Sequence, residues 1–196
     1  MRSLFIVCLA TGVLAGCADR RSSDKHADSP SRRQGSLDLR IAPPASDEHL
    51  LPGIDQLRAQ GPATAPAEGD YMWLPVAAGQ DVTGVITGQW VGRTYVLVSN
   101  KAGEKMLSSQ GGWSIIDASL DKDERGEIAI NFQLNDSGGN LMRELTGRNV
   151  LKPLAIIVEG RVYSAPVVRS AIGDRGVITG KFTPEEARRI VATLNN

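Results

Sequence analysis

The sequence predicts an α+β domain over residues 70–196, with a small antiparallel or mixed sheet and two main helices. Short runs of β-branched and aromatic residues recur between turn residues, which is typical of strands. Two stretches instead place apolar residues at helical spacing. Because strands and helices alternate irregularly and several strands are close enough to form hairpins, the α+β class is favoured over a regular α/β fold.

Composition narrows the function classes before any motif is considered. The chain has 196 residues, no net charge, 41% hydrophobic residues and 22% charged residues, which is ordinary for a globular protein. Residues 70–196 carry equal numbers of basic and acidic side chains, and the two signs alternate along the chain. Nucleic-acid binding is therefore not expected, because it needs clustered Lys and Arg to displace counterions.

The first residues have the pattern of a signal peptide. Arg2 is followed by an apolar run, 4–14, that is too short to span a bilayer as a helix. Residues 14–17, Leu-Ala-Gly-Cys, resemble the bacterial lipobox. The resemblance implies cleavage before Cys17 and a lipid (diacylglycerol, with palmitate) on this cysteine. An ordinary secretory signal followed by a chance cysteine is the alternative.

A lipid anchor has consequences for the mature chain. Acyl chains hold a protein at a membrane, because each buried methylene contributes about 0.8 kcal/mol. Cys8 lies inside the apolar run and leaves with residues 1–16, so the mature chain has no free thiol and no partner for a disulfide. The expected location is the cell envelope, with the folded part on the periplasmic, extracytoplasmic side.

Residues 17–69 are predicted to be a lipidated cysteine followed by a flexible spacer. They are rich in Ser, Pro, Ala and charged residues and contain no aromatic residue, so they bury too little apolar surface to fold alone. Two short patches qualify this prediction. Residues 37–41 alternate like a strand and residues 54–59 have the pattern of one or two helical turns, so either could dock on the domain.

The first half of the domain is predicted to consist mostly of strands. Residues 71–76 and 94–98 are apolar runs with aromatic and β-branched residues. Residues 113–118 and 127–134 follow, and the second of these alternates so that its apolar side chains share one face. Residues 123–126 form the turn between them, which predicts an antiparallel pair.

A helix is expected after the strand pair. Asp136 or Ser137 is suited to accept the free amide groups of its first turn, and the helix should end near Gly147. Helical spacing predicts that one face of this helix is buried. The residues of that face are Leu141, Met142 and Leu145.

The C-terminal part predicts a hairpin, a short strand and a second helix. Residues 154–158 and 161–165 are strands joined by a two-residue turn, and residues 176–180 form another strand. Thr183 is predicted to cap the last helix. Pro184 fits the first helical position, and Glu186 completes a capping box. The residues expected to form the buried face of this helix are Ala187, Ile190, Val191 and Leu194.

The inventory of reactive side chains argues against catalysis. The two histidines, His26 and His49, precede the domain, and no cysteine falls within residues 70–196. Such a domain lacks the groups for catalytic triads, for a cysteine nucleophile and for His-rich zinc sites. No catalytic residue, cofactor or metal is therefore expected, and no small-molecule substrate is evident.

Two short motifs suggest a binding site, but neither has the residues at the spacing that such a site requires. Acidic residues cluster near the turn at 123–126, yet their spacing differs from that of a calcium-binding loop, and a solvated turn explains them better. Gly180 and Lys181 suggest a phosphate-binding loop. That motif needs a glycine where Arg175 stands and a Ser or Thr where Phe182 stands. The glycines are better explained as turn and close-approach positions.

Two longer motifs are far more specific. The first lies in residues 144–166 and contains Leu-Thr, Asn, Lys-Pro-Leu-Ala-Ile, a hairpin and Ser-Ala-Pro. The second is residues 178–187, Ile-Thr-Gly-Lys-Phe-Thr-Pro-Glu-Glu-Ala. Together they resemble the head subdomain of the first periplasmic domain of SecD, a subunit of the SecDF protein-export complex. The resemblance covers residues 110–196 and, more loosely, 71–109.

The resemblance implies a fold and, more weakly, a partner. It implies the SecD head fold and an affinity for exported polypeptides or for a translocase component. SecD couples proton flow to export through transmembrane helices, and none is evident here, so transport by this chain alone is not expected. The positions suggested as a partner-binding surface are Arg161, Tyr163, Ala165 and Pro166.

The sequence leaves three functions open. The first is a lipid-anchored, non-catalytic module that contacts exported polypeptides or a translocase component. The second is a scaffolding envelope lipoprotein that uses the same fold for another protein partner. The third is a carboxylate-dependent hydrolase, for which Asp117 and Asp136 are the candidate residues.

Overall fold

The structure, a computed structural model, describes residues 37–63 and 69–196. This part of the chain contains three antiparallel sheets and three α-helices. The strands are β1 (Leu37–Ile41), β2 (Tyr71–Pro75), β3 (Thr87–Trp90), β4 (Arg93–Ser99), β5 (Lys105–Met106), β6 (Ile115–Lys122), β7 (Ile128–Leu134), β8 (Leu154–Val158), β9 (Arg161–Ser164) and β10 (Arg175–Thr179). The helices are α1 (Pro52–Gln60), α2 (Asp136–Arg148) and α3 (Pro184–Leu194). The strand orders are β5-β1-β8-β9, β10-β7-β6 and β2-β4-β3.

The folded part reaches further towards the N-terminus than the predicted start at residue 70. β1 pairs along its whole length with β8 and lies between β5 and β8 in the first sheet. Leu37 and Leu39 are fully buried there. The alternation of residues 37–41 indicates this strand, but its place in the domain is not evident from the sequence, because its partners lie far away along the chain. Residues 37–60 therefore belong to the domain and not to a spacer.

A buried arginine ties β1 to the third sheet. Arg40 is 7% exposed and donates from Nη1 to the Ser99 carbonyl (3.0 Å) and to Oδ1 of Asn100 (3.1 Å). Burial lowers the pKa of the guanidinium, and the neighbouring Asp38 opposes this shift. Because a buried charge must be hydrogen-bonded, these contacts fix β1 at the end of β4.

The second N-terminal patch forms α1, which covers the third sheet. Gly88 of β3 makes room for the helix, because a β-carbon there would come within 2.5 Å of a methyl group of Leu57. The sequence did not predict β3, since its four residues include this glycine and alternate weakly. The apolar cluster between helix and sheet consists of Leu50, Leu57, Trp73, Ile86, Tyr95 and Leu97.

The predicted strand pair in residues 113–134 is confirmed as β6 and β7. They form an antiparallel hairpin closed at Asp123, whose carboxylate accepts two backbone amides of the turn. β6 begins at Ile115 and not at residue 113. The reason is that Trp113 packs in the core and donates its indole N–H to the Leu107 carbonyl (2.9 Å).

The third strand of that sheet, β10, is also confirmed and approaches β7 closely. Gly176 lies opposite Phe132 in the antiparallel register. A β-carbon at Gly176 would overlap the phenyl ring of Phe132. Glycine is therefore required at this position so that the ring can lie across the strand.

The cap of α2 differs from the prediction. Asn135 holds this position, because its Oδ1 accepts from the Gly138 amide (2.9 Å) and from the Ser114 amide (3.2 Å). Asp136 and Ser137 already lie within the helix, so the predicted cap at either residue was wrong. The side chain of Asn135 thus caps α2 and also holds the backbone at Ser114, just before β6.

Both longer helices bury most of their predicted stripes. Leu141 of α2 is 38% exposed and Val191 of α3 is partly buried. Leu141 lies at the margin of its stripe, which explains its exposure. Thr183 caps α3 as predicted, and its hydroxyl accepts from the Glu186 amide (3.2 Å). The buried residues are Met142, Leu145, Ala187, Ile190 and Leu194.

The predictions for the N-terminus lie outside the described residues. The signal peptide, Cys17 and the first part of the predicted spacer all fall within residues 1–36. Among the helices of the described part, none combines the length and the apolar character that crossing a membrane requires.

Candidate functional site

The outer edge of β10 is unpaired within the described structure. β10 lies at one end of its sheet, and β7 occupies its inner edge. The Leu134 amide donates to the Asp174 carbonyl (2.7 Å), so the even-numbered residues of β10 bond to β7. Bonding alternates along an antiparallel strand. The amide and carbonyl of Val177 therefore point outwards, as do those of Arg175 and Thr179.

This edge opens on a groove of about 690 Å³. The exposed face of the second sheet forms its floor. Its sides are the β6–β7 turn, the end of β9 and the loop that follows β2. The lining includes Gln80, Tyr163, Ser164, Val177, Thr179 and Lys181. Val177 is 49% exposed, so an apolar side chain and a free backbone edge are available at the same point.

A side-chain amide closes one end of the groove. Oε1 of Gln80 accepts from the Lys181 amide (2.8 Å), and Nε2 donates to the Lys181 carbonyl (3.0 Å). This pair of bonds resembles the pairing between strands. A β-carbon at Gly180 would lie 2.5 Å from Oε1 of Gln80, so the predicted close approach at this glycine is confirmed.

The suggested partner-binding residues do not share one surface. Arg161 and Pro166 are exposed and Ala165 is half-buried, but Tyr163 is 2% exposed. The ring of Tyr163 stacks on that of Phe182, with the ring centroids 5.7 Å apart. Tyr163 therefore belongs to the core and supports a wall of the groove. Its placement on a surface was wrong, because Phe182, from the segment between β10 and α3, stacks on its ring.

Charged contacts fix the β8–β9 turn to α3 behind this wall. Glu159 in the turn pairs with Arg189 and accepts from the Thr193 hydroxyl (3.2 Å). The hydrogen bond from Arg189 lowers the pKa of Glu159, and the same bond raises the pKa of the guanidinium. Arg189 also lies 3.4 Å from the hydroxyl of Tyr163, whose pKa is raised by burial. This side of the groove is therefore held by several contacts.

The acidic residues near the β6–β7 turn bind their own surroundings. Asp121 accepts from the Lys122 amide (2.8 Å) and from the side-chain amide of Asn131 (2.8 Å), and these bonds lower its pKa. Asp123 accepts from the turn amides, as described above. Among residues 37–63 and 69–196, no group of three or more His, Cys, Asp or Glu residues could hold a metal ion.

The opposite edge of the same sheet is covered by a side chain. Asn195, just after α3, donates from Nδ2 to the Ala118 carbonyl (2.9 Å) and accepts from the Ala118 amide through Oδ1 (2.8 Å). The amide of Asn195 thus takes the place of a neighbouring strand beside β6. The sheet therefore has one edge occupied at Ala118 and one edge, along β10, that opens on the groove.

Sequence reasoning missed both side-chain amides, Gln80 and Asn195. Gln80 is 101 residues from its partner and lies in a loop without a periodic pattern. Asn195 follows the last helical turn, where it has no local role that a sequence pattern reveals. The one usable signal is Gly180, whose missing side chain indicates a close neighbour without identifying it.

A family model and several protein relatives match this chain, among them the two SecD proteins described next. The model of the SecDF P1 head subdomain matches residues 93–196, more than half of the chain. The protein translocase subunit SecD of Aquifex aeolicus is 44% identical over 72 residues, which is 37% of this chain and 14% of that protein. SecD of Dictyoglomus turgidum is 27% identical over 143 residues, which is 72% of this chain and 35% of that protein.

A solved structure of SecDF, described as a membrane component that enhances protein export, is also similar. It aligns with a TM-score of 0.46 and 23% identity, over 83% of this chain and 62% of that chain. The present chain thus spans about a seventh to a third of the length of the two relatives named above.

Proposed function

The chain belongs to the SecDF P1 head subdomain family, and on this premise we propose that it serves protein export as a non-catalytic module that binds extended segments of exported polypeptides. The family match at residues 93–196 includes β10 and most of its groove. The relatives are translocase subunits, which supports a role in export. The observation that carries the proposal is the unpaired outer edge of β10.

An unpaired strand edge suits a chain that has not folded. Its amides and carbonyls bond to the backbone of any extended segment, whatever the side chains are. Folded proteins keep nearly all of their own backbone groups bonded, so they offer few such partners. Recognition at Val177 and its neighbours would therefore favour unfolded exported polypeptides over folded periplasmic proteins.

The groove favours binding because it is largely preformed. The bonds between Gln80 and Lys181 hold one end, and the pair of Glu159 and Arg189 holds the wall that contains Tyr163. A site that is fixed before binding loses less conformational freedom when a ligand enters. Only the exported segment would then need to be ordered.

Attachment to a membrane is part of the proposal. The lipobox-like residues 14–17 support a lipid on Cys17, with the domain on the extracytoplasmic side where exported chains emerge. Metabolic labelling with palmitate tests this directly. The wild-type chain should incorporate label, and Cys17→Ser should not. An unlabelled wild-type chain would leave the domain without this anchor and contradict that part of the proposal.

Site-specific crosslinking tests the binding site. A photoreactive amino acid replaces Val177 in the full chain, and the matched control replaces Val91, a 78% exposed valine in the turn between β3 and β4. In intact envelopes, the probe at 177 should capture secretory polypeptides and the probe at 91 should capture far fewer. Recovery of neither unfolded secretory proteins nor translocase subunits would contradict the proposal. Capture of one stable folded partner would favour a scaffolding role instead.

A proline variant tests whether the backbone edge itself is used. The Val177 amide points away from β7, so Val177→Pro removes an outward donor without removing a bond of the sheet. Val177→Thr is the control, because it keeps the amide and a side chain of similar size. Crosslinking or peptide binding should be lost with proline and retained with threonine, while circular dichroism shows both variants folded. Equal binding by the two variants would exclude strand addition.

A further inference from the structure

Three exposed aliphatic side chains lie together just after α2. Val150 is 42% exposed, Leu151 is 71% exposed and Val167 is 41% exposed. Backbone hydrogen bonds join their two segments: the Leu151 amide donates to the Val168 carbonyl (2.9 Å), and the Val168 amide donates to the Lys152 carbonyl (3.0 Å). We call Val150, Leu151 and Val167 the aliphatic patch.

The backbone of the patch is strained where its largest side chain projects. Leu151 has φ of +69°, in the left-handed region that residues other than glycine rarely adopt. Burial does not explain this conformation, because the side chain is mostly in solvent. Strain at an exposed apolar residue is a reason to look for a contact that the residue makes with something outside the domain.

Basic residues surround the patch. The two segments that form it, residues 148–153 and 165–173, contain no acidic residue and three basic ones: Arg148, Lys152 and Arg169. Arg148 pairs with Glu144, one turn earlier in α2, and Lys152 pairs with Glu104. Arg169 forms no ion pair with any residue that the structure describes. With three basic side chains against these two carboxylates, the rim keeps a net positive charge, which Arg169 carries.

We propose that the aliphatic patch rests on the surface of an anionic lipid bilayer, with the basic rim at the headgroups. Aliphatic side chains flanked by Lys and Arg suit the boundary between headgroups and acyl chains. The patch lies on a turn and lines neither the groove beside β10 nor three other surface grooves of the described residues. It also lacks the Trp and Tyr that anchor most protein interfaces. This contact is separate from polypeptide binding at β10.

A patch of this size binds weakly by itself. If another segment already holds the chain at the membrane, the effective concentration of lipid near the patch is high. The test therefore has to report the surroundings of the patch and not the total amount of bound protein. An environment-sensitive fluorophore attached within the patch gives that signal.

The test uses the full chain with Cys8→Ser, Cys17→Ser and a new cysteine, Val150→Cys, labelled with NBD, and an N-terminal His tag tethers it to vesicles that contain a nickel-chelating lipid. The matched control carries Val91→Cys, since Val91 is 78% exposed and lies in the turn between β3 and β4. With vesicles of phosphatidylglycerol and phosphatidylcholine, emission from position 150 should shift to the blue and roughly double. Emission from position 91 should change little, and pure phosphatidylcholine should weaken the effect at 150.

A second pair of variants, made in the chain labelled at position 150, distinguishes a contact made by the patch from nonspecific adsorption to the vesicles. Leu151→Gly should reduce the emission change by about half or more, because it removes the most exposed side chain of the patch. Val91→Gly, also at a position with positive φ, should leave the change intact. A probe at 150 that stays in water while the chain floats with anionic vesicles would overturn the proposal. A blue shift that grows with protein concentration without vesicles would assign the patch to a second copy of this chain and overturn it as well.

Discussion

Gln80 and Lys181 lie 101 residues apart and are joined by two hydrogen bonds between one side-chain amide and one backbone unit. The contact fastens the loop after β2 to the segment between β10 and α3. Gly180 leaves the space that the Gln80 amide occupies. One end of the groove therefore depends on a long-range contact that involves few residues.

This contact predicts a non-additive pair of substitutions. Gln80→Ala should lower the free energy of unfolding by about 1 kcal/mol, because two hydrogen bonds at a partly exposed site are lost. Gly180→Ala should cost a similar amount, since its methyl group displaces the same amide. Urea denaturation of the double variant should then give clearly less than the sum of the two losses. Fully additive losses would show that the two positions do not act through one contact.

The strained backbone at Leu151 predicts a stabilising substitution. Leu151→Gly should raise the free energy of unfolding by about 0.5–1 kcal/mol, because glycine adopts a positive φ without the steric penalty. The neighbouring Val150→Gly is the control and should lower the stability by a similar amount, since Val150 has no positive φ. Thermal and urea denaturation measure both. A destabilised Leu151→Gly protein would mean that the leucine side chain contributes more by packing than its exposure indicates.

Because β10 lies so close to β7, a substitution at Gly176 is predicted to destabilise the fold strongly. Gly176→Ala should lower the free energy of unfolding by about 2–3 kcal/mol, because its methyl group overlaps the Phe132 ring. Adding Phe132→Leu should recover part of this loss. Gly147→Ala is the control, since a β-carbon there makes only an ordinary contact at 3.6 Å and improves helix propensity in α2. A mild effect of Gly176→Ala would indicate that β10 shifts easily.

The carboxylate of Glu104 predicts a pH-dependent contribution to stability. Burial tends to raise its pKa, but hydrogen bonds from Ser99 (2.6 Å) and Lys152 (3.0 Å) outweigh burial and leave the pKa below 4.5, its ordinary value. A carboxyl whose folded pKa is depressed stabilises the protein fully above its unfolded pKa. The contribution is lost as the pH falls through the folded pKa.

The measurement compares wild type with Glu104→Gln by urea denaturation between pH 3 and pH 7. The wild type should be more stable by about 1 kcal/mol at neutral pH, and the difference should shrink as the pH falls below about 4.5. Glu144→Gln is a matched control, because that carboxylate is 53% exposed and pairs with Arg148 only at the surface of a helix. A difference that stayed constant with pH would contradict the role assigned to the Glu104 carboxylate.

Much of the fold could be predicted because its signals are local. The alternation in residues 127–134 identifies β7, and the turn at Asp123 identifies its hairpin with β6. Thr183 marks the start of α3 because a cap acts on an amide three residues away. In each case the residues that decide the structure lie within a few positions of one another.

The remaining features depend on partners that are distant in the sequence. The alternation of residues 37–41 predicts β1 as a strand, but its membership of the domain depends on pairing with β5 and β8. Tyr163 lies near the exposed residues Arg161 and Pro166, yet its ring is covered by Phe182 from another segment, which the local sequence does not reveal. The groove itself arises where β9, β10 and the Gln80 loop meet, so no single stretch of sequence encodes it.

Asn195 has a further consequence for how copies of this domain meet one another. A sheet whose two edge strands are both unpaired can pair edge to edge with other copies and extend indefinitely, as in fibrils. Because the Asn195 amide occupies the β6 edge at Ala118, the second sheet leaves mainly its β10 edge open to a second copy within the described residues. Two copies that pair through their β10 edges would then present to a third copy only β6 edges interrupted at Ala118, which limits the growth of a ladder through this sheet.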